Sequence, residues 1–196
     1  MVNPVEVAHE HIHEATHGGH DAHEANDHWP RNMAVVVSFL AASLALAGIG
    51  AKSSQTAYLT HHIAASDLWN FFQAKNLRAN LRNSQAILLE SMPNADTPAM
   101  QERVKAARAE ENRMRDDPAK GEGTKQLAVK AEHEEHERDH ALHLYHNYEY
   151  ASGAMEISIV LASVSVVTKI RPLGVAAGLI GLAACAYGLA TYLHFV

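Results

Sequence analysis

Three long, nearly uncharged apolar runs constrain this chain more than anything else in it: residues 33–50, 154–170 and 173–196. Each is close to the roughly 20 residues a helix needs to cross a hydrocarbon layer about 30 Å thick. A backbone in lipid must satisfy its own hydrogen bonds, so runs of this length read as helices. Between the first and second lies a long charged stretch with few helix breakers. The expected fold is therefore all-α. It is a membrane protein with three transmembrane helices and a long, coiled-coil-like extramembrane helical hairpin between the first and second. The segments read as a His-rich disordered tail over 1–29, spans over 30–51, 151–170 and 173–195, and the hairpin over 52–150.

The mean hydropathy of −0.17 hides this division by averaging two unlike populations. The first run reads as an anchor and not a cleaved signal, because a long acidic segment precedes it and not a short basic one. A net charge of −6 with neutral histidines, and no basic stripe with interleaved aromatics, argue against a nucleic-acid partner. The single cysteine, Cys185, excludes an intrachain disulfide and a Cys-rich zinc site. Lipidation signals are not seen: the second residue is Val2, and the chain ends Leu193-His194-Phe195-Val196.

The tail carries His9, His11, His13, His17, His20, His23 and His28 and lacks the large apolar residues that build a core. Trp29 suits the headgroup level, Arg31 the phosphates, and Pro30 the opening of a helix. The first span is rich in Ala, Ser and Gly, which lets neighbouring helices approach closely. No breaker follows until Pro93, so the helix is expected to continue as a stalk from Lys52 to about Glu90. Ile63, Trp69, Phe72, Leu77, Leu81 and Leu88 read as its apolar stripe. A turn over 91–98 precedes a short charged helix over 99–115, with Thr97 as cap and Pro98 at its first position. Met100, Val104, Ala107 and Met114 form its thin apolar edge. Residues 116–123 break the chain, and from Thr124 a helix runs into the second span. The link over 168–173 is short and basic. With Arg31, it places the N-terminus in the cytoplasm by the positive-inside rule.

The stretch Ser66-Asp67-Leu68-Trp69-Asn70-Phe71-Phe72-Gln73-Ala74-Lys75 resembles the Trp-x-x-aromatic-Gln-Ala-Lys signature of a bacterial family, domain-of-unknown-function family 4337. Ile157-Ser158-Ile159-Val160-Leu161-Ala162-Ser163 resembles the start of that family's second span, and the order of elements agrees over residues 30–196. The resemblance implies a multi-pass protein of the bacterial inner membrane and implies no activity. The His-rich tail departs from the family core. So does Glu156, where the family pattern leads one to expect an amide.

The sharpest chemical feature is a histidine ladder, His133, His136, His140 and His143, spaced three, four and three apart and extended by Val129 and Asn147. That spacing is one seam of a coiled coil. With Glu137 and its neighbouring carboxylates it is a candidate site for zinc, copper, nickel or iron. Glu137-Arg138-Asp139-His140 also fits the Glu-x-x-His pattern of di-iron bundles, but that pattern needs a second copy. The plainer account is a polar face on a Glu/His-rich helix. A packed histidine seam would be neutral near pH 7.5 and would loosen on acidification; a solvated one would not. The tail histidines are a second, looser chelating candidate.

His61-His62 are adjacent and do not share a helix face, so they carry no expectation. Glu156 is either an intramembrane acid, and so a functional candidate, or a headgroup-level residue. Trp69 and Phe72 are candidate interface residues of the stalk. Gly174 and Gly178 form a Gly-x-x-x-Gly motif for tight packing between spans. No phosphate loop, nucleophile elbow or catalytic triad stands out, so enzymatic activity is not expected. The leading expectation is a structural or scaffolding membrane protein, partnered by the bilayer and by copies of itself or a membrane complex. The alternatives are metal binding or metal/pH sensing through the histidines, and ion or proton transport through Glu156.

Overall fold

A computed structural model describes residues 28–193, all helical apart from turns, with no strand among them. The helices are α1 (His28–Glu90), α2 (Pro98–Arg115), α3 (Thr124–Thr168) and α4 (Arg171–Tyr192). Helix α1 starts at His28, two residues before the expected boundary. The remaining tail histidines lie outside the described residues. Helices α1, α3 and α4 are each long and apolar enough to cross a membrane.

Helix α1 runs 63 residues because nothing stops it. Neither Gly nor Pro occurs between Gly50 and Pro93. Its Ser38, Thr56 and Thr60 hydroxyls donate back to the carbonyls of Ala34, Lys52 and Thr56 four residues earlier, so they do not compete with the ladder. Pro98 opens α2 as expected. Thr97 does not cap it with its side chain. The hydroxyl instead donates back to the Asn94 carbonyl at 2.8 Å and tightens the turn before the helix. Two glycines shape the next turn. Gly121 sits at φ 67°, and a Cβ at Gly123 would come within 2.5 Å of the Asp117 amide nitrogen. Between α3 and α4, Lys169 takes the left-handed conformation at φ 57°, where glycine is the usual occupant.

The described chain divides into two compact units. One comprises residues 28–45 and 152–187. Its buried positions are mostly small: Ser158, Ala162 and Ser165 on α3, with Gly174, Ala177, Gly181 and Ala184 on α4, alongside Met33, Leu40 and Met155. The large apolar side chains point outward, with Val35, Phe39, Val160, Val167, Leu179 and Leu182 all more than 60 % exposed. Two buried hydroxyls are satisfied within the unit, Ser158 donating to the Ala177 carbonyl and Ser165 to that of Ile170, whereas the buried Ser152 hydroxyl has no hydrogen-bond partner among the described residues.

The other unit comprises Leu46–Ala151 with residues 188–193. Here α1 pairs with the turn before α3 and with α3 itself, and beyond Lys75 with α2. Gly50 lies against Tyr148, His61 against Glu134, Trp69 against Glu135 and Lys75 against Glu122. From Gly50–Tyr148 at one end to Lys75–Glu122 at the other the partner numbers fall while the α1 numbers rise, so the two segments run antiparallel. One covered row of α1 is Ala47, Ala51, Ser54, Tyr58, His61, Ala65, Leu68, Phe72, Lys75 and Ala79. Their steps alternate four and three, the rhythm of a coiled-coil seam. Helix α3 answers with Thr124, Leu127, Ala131, Glu134, Arg138, Ala141, Tyr145 and Tyr148, again in threes and fours.

This seam differs from the expected one on both helices. On α1 the apolar stripe splits. Trp69 and Phe72 are half-buried, whereas Ile63, Leu77, Leu81 and Leu88 are exposed and the fully covered positions, Ser54 apart, are alanines. Small side chains let two helix backbones approach, which is why Ala65, Ala79 and Ala86 occupy the contact and the leucines do not. On α3 the covered row is not the histidine ladder: His133, His136, His140 and His143 are all exposed. Ala131, two residues before the ladder, and Ala141, between His140 and His143, turn inward instead.

Candidate functional site

The interlock between α1 and α3 gathers the charged and aromatic residues of the second unit around Ala65 and Ala131, which are 2 % and 0 % exposed. Small, closed positions on both helices let the axes come near enough for polar side chains to bridge them. His61 Nδ1 lies 2.7 Å from Glu134 Oε2. A carboxylate only accepts, so the imidazole donates. About two turns further along α1, the Trp69 indole N–H donates to Glu135 Oε1 at 3.1 Å. Phe72 meets the Trp69 ring edge-on, with centroids 5.3 Å apart. Lys75 then reaches Glu122 at 3.6 Å, its ammonium 5.5 Å from the centre of the Phe71 ring. Arg138, half-buried on α3, stands 4.0 Å from Glu135 and pairs with Asp139.

The Trp69–Lys75 motif thus does structural work. Trp69 and Lys75 are its two hooks, and Phe71 and Phe72 support one each. Sequence reasoning placed Trp69 and Phe72 at an interface but missed His61, set aside for its adjacent twin. His62 does point elsewhere and stacks on Tyr58 at 5.9 Å. The available signal was heptad phase, because His61 lies one seam step from both Tyr58 and Ala65.

A second polar cluster fixes α2 against α1. Glu111 is 9 % exposed and accepts from Arg108 and Arg115, the latter at 3.0 Å. Arg108 also donates to Asn83 and reaches Glu90 at 3.2 Å, while Arg115 donates to Asn80 at 3.1 Å. Met100, Val104, Ala107 and Met114 do face inward, and Glu111 fills the remaining position of that edge. At the α2–α3 turn, hydrogen bonds from the Lys125 ammonium and then the Gln126 amide hold the Asp116 carboxyl below the usual carboxylate range. On α3, the hydrogen bond from the Tyr145 hydroxyl to Glu149 pushes that phenol above its ordinary value.

Among the described residues, no group of three or more His, Cys, Asp or Glu side chains is placed to hold a metal ion. Glu137 is half-buried beside the exposed ladder histidines, and Glu156 is exposed on α3. In the first unit Gly174 is buried, and a Cβ there would lie 2.5 Å from Ser165 Oγ and from the Trp29 ring. A Cβ at Gly178 would meet nothing within 4 Å, so the Gly-x-x-x-Gly pair does not act as one contact within the chain. The close approach falls instead at Gly181, whose Cβ would meet Leu40 and Ser158 at 2.7 Å.

The fold is thus an all-helical one with three span-length helices and a helix-pairing interlock. The chain belongs to the family described as Domain of unknown function (DUF4337), whose pattern it matches over residues 29–194. Comparison with curated proteins and with solved structures returns no match.

Proposed function

We propose that this is a multi-pass structural protein of a bacterial inner membrane, whose spans anchor a helical hairpin that serves as a scaffold for copies of itself or for a membrane complex. The observation that carries the membrane reading is the inverted packing of the first unit. Its interior is small and its exterior is large and apolar, with Val167 83 % and Leu182 70 % exposed. In water such a surface would be an aggregation hazard. In lipid it is the expected arrangement, since helices there associate through small residues and show large ones to the acyl chains. The scaffold reading rests on the second unit, where the family signature is used up in holding one helix to another. The hairpin comprises α1 beyond residue 51, α2, and α3 up to residue 150. Arg31, Lys169 and Arg171 favour a cytoplasmic N-terminus.

The test is an untagged native purification. The protein should stay in the membrane pellet through alkaline carbonate and carry more than one chain, or a partner, by mass in nanodiscs. Release by carbonate would refute the membrane reading. A strict monomer copurifying with nothing would refute the scaffold.

A further inference from the structure

We infer that α1 carries a self-association surface, a leucine row on the face opposite its seam, whose occupant is the same row of a second copy. This deepens the scaffold reading and rests on it. The row is Ala74, Leu77, Leu81, Ser84 and Leu88, with steps of three, four, three and four. All five are exposed; Leu77, Leu81 and Leu88 are 63, 61 and 59 % so. The seam positions Phe72, Ala79 and Ala86 recur every seven residues on the same helix. At heptad pitch the two rows stand roughly half a turn apart. One helix therefore presents two coiled-coil faces, and α3, followed beyond Lys75 by α2, covers only one.

Three features select a second copy as the occupant. First, identical spans set α1 of every copy at one height and in one direction, so the rows meet parallel and in register without any further device. Second, the shoulders of the row are compatible with themselves. In a parallel in-register pair, the positions that meet across the seam are Gln73 with Arg78 and Asn80 with Gln85. The one cation faces a neutral amide and no like charges meet. Third, the row ends where self-pairing would fail: one heptad before Ala74 the same position is Asp67, which would face its own copy. The contact is short, and confinement to a membrane raises the effective concentration that makes a short contact sufficient.

The test is a cysteine scan of the full chain in native membranes, in a Cys185→Ser background. Single cysteines are placed at each residue from 77 to 84, with His133→Cys on the exposed face of α3 as the reference. Mild oxidation should give a disulfide-linked dimer, with yield peaking at Leu77→Cys, Leu81→Cys and Ser84→Cys and falling between them. The paired change Leu77→Asp with Leu81→Asp should lower the mass in nanodiscs while helix content is unchanged. A flat profile no higher than the reference overturns the surface. If such a protein is still oligomeric, the scaffold reading survives without it; if it is a lone monomer, both fall. A peaked profile in which the adducts contain a different protein also overturns self-association.

Discussion

Replacing Ala131 by Leu should open the α1–α3 interlock, and the size of the effect follows from what surrounds it. Ala131 is 0 % exposed and lies three and four residues before Glu134 and Glu135, the acceptors for His61 and Trp69. Leu is nearly as good a helix former as Ala, so the substitution tests packing and not propensity. Three added carbons in a contact with no spare room cost about 1–3 kcal/mol by overpacking. Pushing the axes apart also stretches two polar bridges, each worth about 1 kcal/mol net. Taking the low end of the packing cost, the sum is about 3 kcal/mol. At 1.4 kcal/mol per factor of ten, that is roughly a hundredfold change in local opening, a loss within the span between fraying and global stability. Hydrogen exchange of the full chain in nanodiscs reads it directly. Amides over 61–69 and 131–138 should lose about two decades of protection. Ser66→Leu, on the exposed face of α1, should lose almost none. If Ala131→Leu leaves both windows protected, the alanines are not what sets the helix separation and the packing argument is wrong.

Trp69→Phe keeps a ring against Phe72 but removes the donor to Glu135. It should cost about 1 kcal/mol, seen as roughly a fivefold loss of protection in the same windows. Glu111→Ala leaves two guanidiniums sharing a half-buried site and should loosen α2 by about 2 kcal/mol, read as faster trypsin cleavage after Arg108 and Arg115, with Glu111→Gln intermediate. Asp116 titrates below its usual value in the folded chain. Its contribution is therefore complete above the ordinary carboxylate range and is lost as pH falls through the lower folded value. Exchange of the 116–123 turn should rise only at such acidic pH, and Asp116→Asn should remove that dependence. Lys169→Gly should relieve the left-handed residue between α3 and α4 and raise the melting temperature, a gain of about 1 kcal/mol.

The span-length helices, the continuity of α1 and the breaks at 91–97 and 116–123 were all legible, because hydropathy and breaker residues are local signals. The phase of the seams was not. On α3 two heptad rows compete: Val129, His133, His136, His140, His143 and Asn147 against Leu127, Ala131, Glu134, Arg138, Ala141 and Tyr145. The first looks the more regular in composition, and the second is the one covered. The choice is made across the gap by Ala65, His61 and Trp69, which no property of α3 alone reveals. The same applies to α1, where hydrophobicity favours the leucines and close approach favours the alanines. Glu111 was hidden for a related reason. It is a charged residue at a covered position; its pairing with Arg108 and Arg115, three residues before and four after it on α2, could be read from spacing, but its burial could not.

The alternating seam has a consequence for chain length. Seven residues return a helix to nearly the same face, about 10 Å further on, whereas one residue turns everything beyond it by about 100°. Within the paired stretch, length is therefore counted modulo seven. Removing one residue from α1 between Ala47 and Ala79 would rotate Ala79 and Ala86 out of the contact and put other side chains in their place. Removing one whole heptad from α1 and another from the facing part of α3 would leave every remaining alanine on the seam. The stature of this part of the molecule is thus adjustable only in steps of about 10 Å, and only when both helices change together.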